Sequence, residues 1–138
     1  MNFLFNKDSN LPRRMAKEIQ RLENANMDYK KLEIEIDMLH NRICQALAAP
    51  TRILILYRLK EKPLFVNELA DAMQLPQSTI SRHLGLLKEK NLVTTKRDGT
   101  SIYYKLAEPR IIEVLDTMRE IVASQLADSV EMARTLKK

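Results

Sequence analysis

The chain has 138 residues and a formal net charge of +5, and this length is enough for one domain with a modest core. Aromatic residues make up 5% and only two glycines occur, so the composition indicates a mostly α-helical protein. The apolar runs are too short to cross a bilayer, and the amino terminus lacks a signal-peptide profile, so we expect no membrane partner. The single cysteine, Cys44, excludes a disulfide within the chain, and we therefore expect a cytoplasmic protein.

The first third of the chain predicts a flexible lead over residues 1–11 and a coiled-coil-like dimerisation helix over residues 12–45. Apolar side chains recur there every seven residues in two sets: Leu22, Tyr29, Ile36 and Ile43, and Ala25, Leu32, Leu39 and Ala46. Residues 24–28 are weak helix formers, so whether this helix is continuous stays open. The stripe either packs on its own domain or joins two subunits, and we favour the second because one short domain cannot cover so long a seam.

Residues 46–106 read as a winged helix-turn-helix core. Pro50 suits the first turn of a helix, and we expect the apolar side chains of this helix to be buried, namely Ile53, Leu54, Leu56, Tyr57 and Leu59. Two short helical patterns follow, one with Leu69, Ala70 and Met73 on a face and one with Ile80, Leu84 and Leu87. Pro76 between them marks a restart, as in a helix-turn-helix whose second helix enters the major groove of DNA.

The polar side of the second helix carries the side chains that a recognition helix needs. Arginine reads guanine edges, and hydroxyl groups bond phosphates or bases. We therefore expect base contacts from Arg82 with Gln77, Ser78 and Thr79, and phosphate contacts from Ser81 and His83. The alternative is an ordinary pair of amphipathic helices with a polar outer face.

A β-hairpin is predicted after the second helix, which Asn91 is expected to end. The runs 92–97 and 100–106 are rich in β-branched and aromatic residues, and Asp98-Gly99 between them is a two-residue turn signal. Residues 77–106 carry six basic and two acidic side chains, the footprint of a phosphate-binding surface. We expect Lys96, Arg97 and Lys105 on this wing to hold phosphates.

The last segment, residues 107–138, predicts a C-terminal dimerisation helix that Pro109 opens. Its apolar stripe contains Ile111, Leu115, Met118, Val122, Leu126 and Val130, widened by Ile112, Val114 and Ile121. A long terminal helix of this kind typically buries its apolar side against another subunit. The fold class is thus mostly α with a small β-hairpin, between long dimerisation helices.

Several of these motifs together resemble the arsenic-repressor (ArsR/SmtB) family of winged-helix transcription regulators, over about residues 40–125. The matching runs are Ala46-Leu47 with Pro50-Thr51-Arg52, Glu68-Leu69-Ala70, Gln77 to Leu84, Leu92-Val93, and Arg97-Asp98-Gly99 with Tyr103 to Leu106. The resemblance implies a homodimeric repressor that is joined through its first and last helices and binds double-stranded DNA at a palindromic operator.

The chain departs from the family at its metal sites. Phe65 and Asn67 stand where metal-sensing members carry cysteines, and no histidine follows His83, so neither usual site is expected and we predict no cofactor. His40 and Cys44, four residues apart on one helical face, remain as a candidate metal or redox pair. The alternative is that Cys44 packs as a small hydrophobe and His40 is an ordinary surface or interface residue.

The sequence shows no catalytic constellation, since a glycine-rich phosphate loop is lacking and the two histidines have no nucleophile partner nearby. We therefore predict no enzyme. Two rival interpretations stay open: a metal- or redox-responsive repressor that uses His40 and Cys44, and a winged helix that serves as a protein-interaction module.

Overall fold

The computed structural model describes residues 11–137, so the predicted flexible lead lies outside the described residues except for Leu11. The helices are α1 (Arg13–Leu39), α2 (Pro50–Glu61), α3 (Val66–Met73), α4 (Gln77–Glu89) and α5 (Arg110–Leu136), and a π-helical turn occupies His40–Cys44. The strands are β1 (Leu64–Phe65), β2 (Val93–Asp98) and β3 (Ser101–Leu106). Within residues 11–137, no helix combines the length and the apolar character that crossing a membrane requires.

The chain divides into two compact units, residues 1–41 and residues 42–138. The first unit is built on α1, which runs unbroken for 27 residues, so the helix is continuous through residues 24–28. Weak helix formers cost only tenths of a kcal/mol each, and strong formers on both sides carry the helix through. Gln20 also donates a 3.0 Å hydrogen bond to Asn24 one turn later, at the start of the weak segment.

The predicted heptad seam ends with α1 rather than running on to residue 46. The π-helical turn at His40–Cys44 places an extra residue in the turn and so shifts the helical register. Beyond it, Ala46 is fully buried in the core of the second unit, and Ile43 packs against that core. These two residues therefore belong to the second unit and not to the exposed stripe of α1.

The core of the second unit forms where α2, α3, α4, the sheet and the start of α5 meet. Its buried apolar side chains are Ala46, Ile55, Leu56, Leu59, Leu64, Leu69, Ala70, Ile80, Leu84, Leu87, Leu92, Val93, Ile111, Ile112 and Leu115. One prediction for α2 is wrong, because Leu54 is 55% exposed while Ile55 is fully buried. The apolar run of residues 53–56 covers every side of a helix, so its pattern cannot select the buried face.

The turn between α3 and α4 confirms the predicted restart. Gln74 adopts a left-handed conformation (φ 52°) that ends α3, and the N–H of Leu75 donates to the carbonyl of Ala70 over 3.1 Å. Pro76 then occupies the N-cap position of α4. Since proline has no N–H and a fixed φ, the backbone there can begin a helix but cannot continue one.

The carboxyl-terminal end of α4 determines where the hairpin begins. Asn91 takes φ 62°, and the N–H of Leu92 returns to the carbonyl of Leu87 over 2.9 Å, which closes the helix with a Schellman-type bond. This confirms Asn91 as the helix stop. Leu92 and Val93 are buried immediately afterwards, so the hairpin is anchored in the core at its root.

The sheet has three antiparallel strands in the order β1-β3-β2, and the two-residue strand β1 was not predicted. Asp98 pairs with Ser101, so the turn residues are Gly99-Thr100 and not Asp98-Gly99 as expected. Gly99 has φ 62°, and Thr100 has no positive φ. A positive φ at the first turn position alone is what a type II′ turn requires, and glycine meets it without steric cost.

The two ends of α5 differ in burial. Ile111, Ile112 and Leu115 at its start are buried, and the hydroxyl of Tyr57 on α2 donates to Asp116 Oδ1 over 2.6 Å. The rest of the predicted stripe is exposed in the single chain, with exposures from 42% for Met118 to 62% for Leu126. The first turns of α5 thus belong to the core, and the remainder presents an unpaired apolar side.

Replacing Leu56 by alanine should lower the free energy of unfolding by about 2–5 kcal/mol, because the substitution empties part of a fully buried site. Leu54→Ala, two residues earlier on the same helix, should change it by less than about 1 kcal/mol. Urea unfolding at one fixed protein concentration measures both. Equal losses would contradict the burial assigned to α2.

Candidate nucleic-acid interface

Helix α4 has one side fixed in the core and the other side open to solvent. Ile80, Leu84 and Leu87 are each 0% exposed. The predicted contact residues lie on the remaining surface: Gln77, Ser78, Ser81 and Arg82 are exposed, and Thr79 and His83 are half-buried. Because three buried anchors span two turns, the helix cannot rotate about its axis without exposing apolar surface.

The amino-terminal end of α4 is also open. Pro76 stands at the N-cap, and no described side chain caps the first turn. The first backbone N–H groups of a helix lack partners within the helix and carry its positive dipole end. In this 13-residue helix they lie beside the side chains of Gln77 and Ser78, so the end suits an anionic oxygen.

Arg52 of α2 contacts the ring of His83. The sequence did not single out Arg52 for this site. Arg52 Nη1 lies 3.4 Å from His83 Nδ1, while Nε donates to the carbonyl of Ala46 over 2.6 Å and Nη2 to that of Gln45 over 3.1 Å. Guanidinium groups only donate, so His83 Nδ1 is the acceptor and the ring proton sits on Nε2. The sequence signal that could have identified Arg52 was an arginine in the otherwise apolar first half of α2.

The environment of His83 favours the neutral ring. Partial burial lowers the pKa of His83 below its ordinary value, and the positive charges of Arg52 and Arg82 lower it further. The neutral ring offers one donor, Nε2–H, because Nδ1 faces Arg52.

The strand register divides the three predicted wing residues between two faces of the sheet. Side chains alternate along a strand and match across a pair, so Lys96 and Lys105 share a face with Tyr103, whereas Arg97 shares the opposite face with Ile102. All three cations are exposed. The strand register therefore places Arg97 on the face opposite the two lysines, although all three residues border one open cavity.

A further cation, Lys62, joins the wing residues around an open cavity of about 560 Å³. Lys62 comes from the end of α2, and the cavity is lined by Lys62, Pro63, Lys96, Arg97, Asp98, Tyr103 and Lys105. Four basic side chains and one acidic side chain give this cavity a positive balance. Lys62 was not predicted, since its place beside the wing depends on the unexpected strand β1 that follows it.

Phe65 and Asn67, which stand at the expected cysteine positions, make other contacts. Phe65 stacks on Tyr103 with ring centroids 3.7 Å apart, and Asn67 Oδ1 accepts the N–H of Glu68 over 3.0 Å. Cys44 is exposed in the single chain, so it does not pack as a small hydrophobe in the core of the second unit. Across residues 11–137, no three side chains of the metal-ligating types lie together.

Comparison with known proteins supplies independent support for the assignment. The family described as "Bacterial regulatory protein, arsR family" matches residues 49–95. The transcriptional repressor SmtB of Mycobacterium tuberculosis is 40% identical over 53% of this chain, and the match spans about half of that relative (54%). The nodulation protein NolR of Rhizobium meliloti is 36% identical over 67% of this chain and 75% of that relative.

Solved structures agree with this relationship. The crystal structure of Mycobacterium tuberculosis Rv0081 superposes with a TM-score of 0.60 at 33% identity, covering 72% of this chain and 95% of that one. A homodimeric winged helix-turn-helix DNA-binding domain from Mycobacterium bovis gives 0.61 at 27% identity, over 70% and 88%. The core that positions α4 and the hairpin is thus a winged helix-turn-helix, and the chain belongs to the ArsR family of bacterial regulatory proteins.

Proposed function

We propose that the chain is a homodimeric, sequence-specific DNA-binding regulator that represses transcription from a palindromic operator. The observation that carries this proposal is the polar face of α4, which is exposed while the opposite face is fully buried. The relatives named as transcriptional repressors and regulators support it. Residues 46–106 then form the DNA-binding core, and residues 12–45 and 107–138 form the dimerisation helices.

The recognition helix reads bases through Arg82, which is exposed and can present its planar fork to the O6 and N7 atoms of guanine. Gln77, Ser78 and Thr79 in the first turn contact base edges beside it. Ser81 holds a phosphate, and the open N–H groups at the start of α4 add an anion contact that needs no side chain.

The wing holds phosphates on both sides of the hairpin. Arg97 binds phosphate on the face that it shares with Ile102, and Lys96 and Lys105 bind phosphate on the other face. Lys62 completes the positive cavity beside them. Because these cations touch the backbone and not the bases, they raise affinity for any duplex and make binding salt-dependent.

His83 contributes a directed phosphate contact. Arg52 occupies Nδ1, so the Nε2–H of the neutral ring is the atom that donates to a phosphate oxygen. A lysine would bring charge without this fixed direction, and a histidine without Arg52 would lack a fixed tautomer. Arg52 is therefore a positioning residue: it orients a DNA contact through His83 and also ties α4 to the turn that contains Gln45 and Ala46.

A dimer supplies two such surfaces. The exposed apolar stripe of α5 is suited to burial against a second copy, and a two-fold axis then relates two α4 helices. The regulator has no catalytic role in this proposal and needs no cofactor, and it acts on DNA in the cytoplasm.

The base-reading role of Arg82 predicts that Arg82→Ala lowers discrimination between operator and random duplex by about 1–3 kcal/mol. Lys96→Ala should weaken both duplexes equally and reduce the slope of log K against log salt by about one. Fluorescence anisotropy titrations at several salt concentrations measure both effects, with Arg58→Ala on α2 as the matched control. If Arg82→Ala weakened both duplexes equally, its assignment to base reading would be wrong.

Selection of bound DNA from a random pool should yield an inverted repeat with half-sites centred roughly 34 Å apart, one helical turn. Inserting five base pairs between the half-sites should abolish tight binding, because one recognition helix then faces the wrong side of the duplex. Inserting ten should affect binding far less. A pool that shows no enrichment would favour the protein-interaction module instead.

The contact between Arg52 and His83 predicts that Arg52→Met raises the pKa of His83, because the substitution removes a positive charge that lowers this pKa. NMR titration of the His83 ring protons measures the pKa, and Arg58→Met on the same helix is the control that should leave it unchanged. An unaltered pKa in Arg52→Met would show that Arg52 does not hold the ring in solution.

A further inference from the structure

Helix α1 presents an apolar stripe that is exposed in the single chain. None of its residues is buried, and Leu22 and Tyr29 on the stripe are 59% and 67% exposed. The stripe recurs at the spacing of one helical face and contains Met15, Ile19, Leu22, Tyr29, Leu32, Ile36 and Leu39. An amphipathic helix with an exposed apolar stripe at this spacing is suited to pairing with another helix.

The charges of α1 are separated between its two ends. Residues 13–21 contain four basic side chains and one acidic one: Arg13, Arg14, Lys17 and Arg21, with Glu18. Residues 33–39 contain three acidic side chains and no basic one: Glu33, Glu35 and Asp37. The segment between them is balanced, with Glu23 and Asp28 against Lys30 and Lys31.

This separation opposes the electrostatics of the helix itself. The amino end of a helix carries partial positive charge and favours acidic side chains, and the carboxyl end favours basic ones. The first turn of α1 instead contains Arg13 and Arg14, and its last turn contains Asp37, with no acidic residue in the first and no basic residue in the last. The arrangement therefore weakens the isolated helix slightly, so an interaction outside the helix is a better explanation for it.

Resting on the proposed homodimer, we propose that α1 pairs antiparallel with α1 of a second copy. Each basic end then lies beside the acidic end of the partner helix, and each helix dipole is offset by its neighbour. Matching the two charged ends places the two-fold axis near Asn26. A parallel pair would set the basic ends together and the acidic ends together, so the charges select the direction while the apolar stripe supplies the contact.

The charge pattern also argues against other occupants of this face. A nucleic acid or an anionic lipid surface would attract the basic end but repel Glu33, Glu35 and Asp37 at the other end. A second copy matches both ends at once, and its contact is isologous, as a two-fold dimer requires.

Charge reversal at one end tests the pairing. Arg13→Glu with Arg14→Glu and Lys17→Glu makes both ends acidic and should raise the dimer Kd at least about tenfold at low salt. Adding Glu33→Lys, Glu35→Lys and Asp37→Lys should restore wild-type association, because the two ends are again opposite. Both changes agree with the helix dipole, so loss of helicity cannot explain a loss of association, and circular dichroism checks this.

Analytical ultracentrifugation measures these Kd values. Unchanged association in the single-end variant, or no restoration in the combined variant, would overturn the pairing. A parallel pair would leave association unchanged in the single-end variant, since like charges face each other before and after the reversal.

Spin labels measure the direction. In a Cys44→Ser background, labels on Ala16→Cys should lie about 30 Å apart along the axis of an antiparallel pair, while labels on Asn24→Cys should lie almost level. Dipolar spectroscopy should therefore give a clearly longer distance at position 16 than at position 24. Equal distances, or no short distance at position 24, would overturn the inference.

These outcomes separate the inference from the proposed function. A dimer that selects an inverted repeat but gives equal label distances would refute antiparallel pairing and leave the regulator intact. A chain that stays monomeric would refute both the pairing and the proposed homodimer, and a correctly paired dimer without DNA selectivity would refute only the function.

Discussion

The burial of Ile80, Leu84 and Leu87 is the constraint on which the interface depends. Each of these side chains is fully buried, and together they fix the rotation of α4 in the second unit. Emptying any one of these sites costs about 2–5 kcal/mol. Since the same helix carries Arg82 on its opposite side, the hydrophobic core determines which side chains face solvent. The polar face needs no binding energy to be oriented, because packing has already oriented it before a partner arrives.

Arg52 connects α4 to the part of the second unit that precedes α2. One guanidinium contacts His83 on α4 and the carbonyls of Gln45 and Ala46. These residues directly follow the π-helical turn at His40–Cys44. One side chain thus ties α4 to the segment that leads into α2.

The sequence was sufficient for features that depend on local chemistry. Pro76 predicted the restart of α4, Asn91 predicted its end, and apolar spacing identified the buried anchors of both short helices. Features that depend on tertiary contacts were missed or misplaced. Leu54 and Ile55 lie in a uniformly apolar run, so the sequence does not show which of them is buried. The hairpin turn lies one residue later than predicted, because Asp98 pairs with Ser101. Strand β1 exists only because β3 lies beside it.

The candidate site shows the same division between local and tertiary information. The polar face of α4 followed from the spacing of its apolar residues, so Arg82 and its neighbours were identifiable. Arg52 lies in α2 and Lys62 directly follows it, and both reach the site only through folding. The positions of Lys96 and Arg97 on opposite faces follow from the strand register. Spacing within one helix can be read from a sequence, whereas proximity between helices requires the packed core.

The central claim is that the exposed face of α4 is the surface that reads DNA. Mapping backbone amide shifts by NMR while an operator duplex is added tests it most directly. The account predicts the largest changes at residues 77–83, with further changes at residues 96–105 and near Lys62. Changes that leave residues 77–83 unaffected while the duplex binds would contradict it.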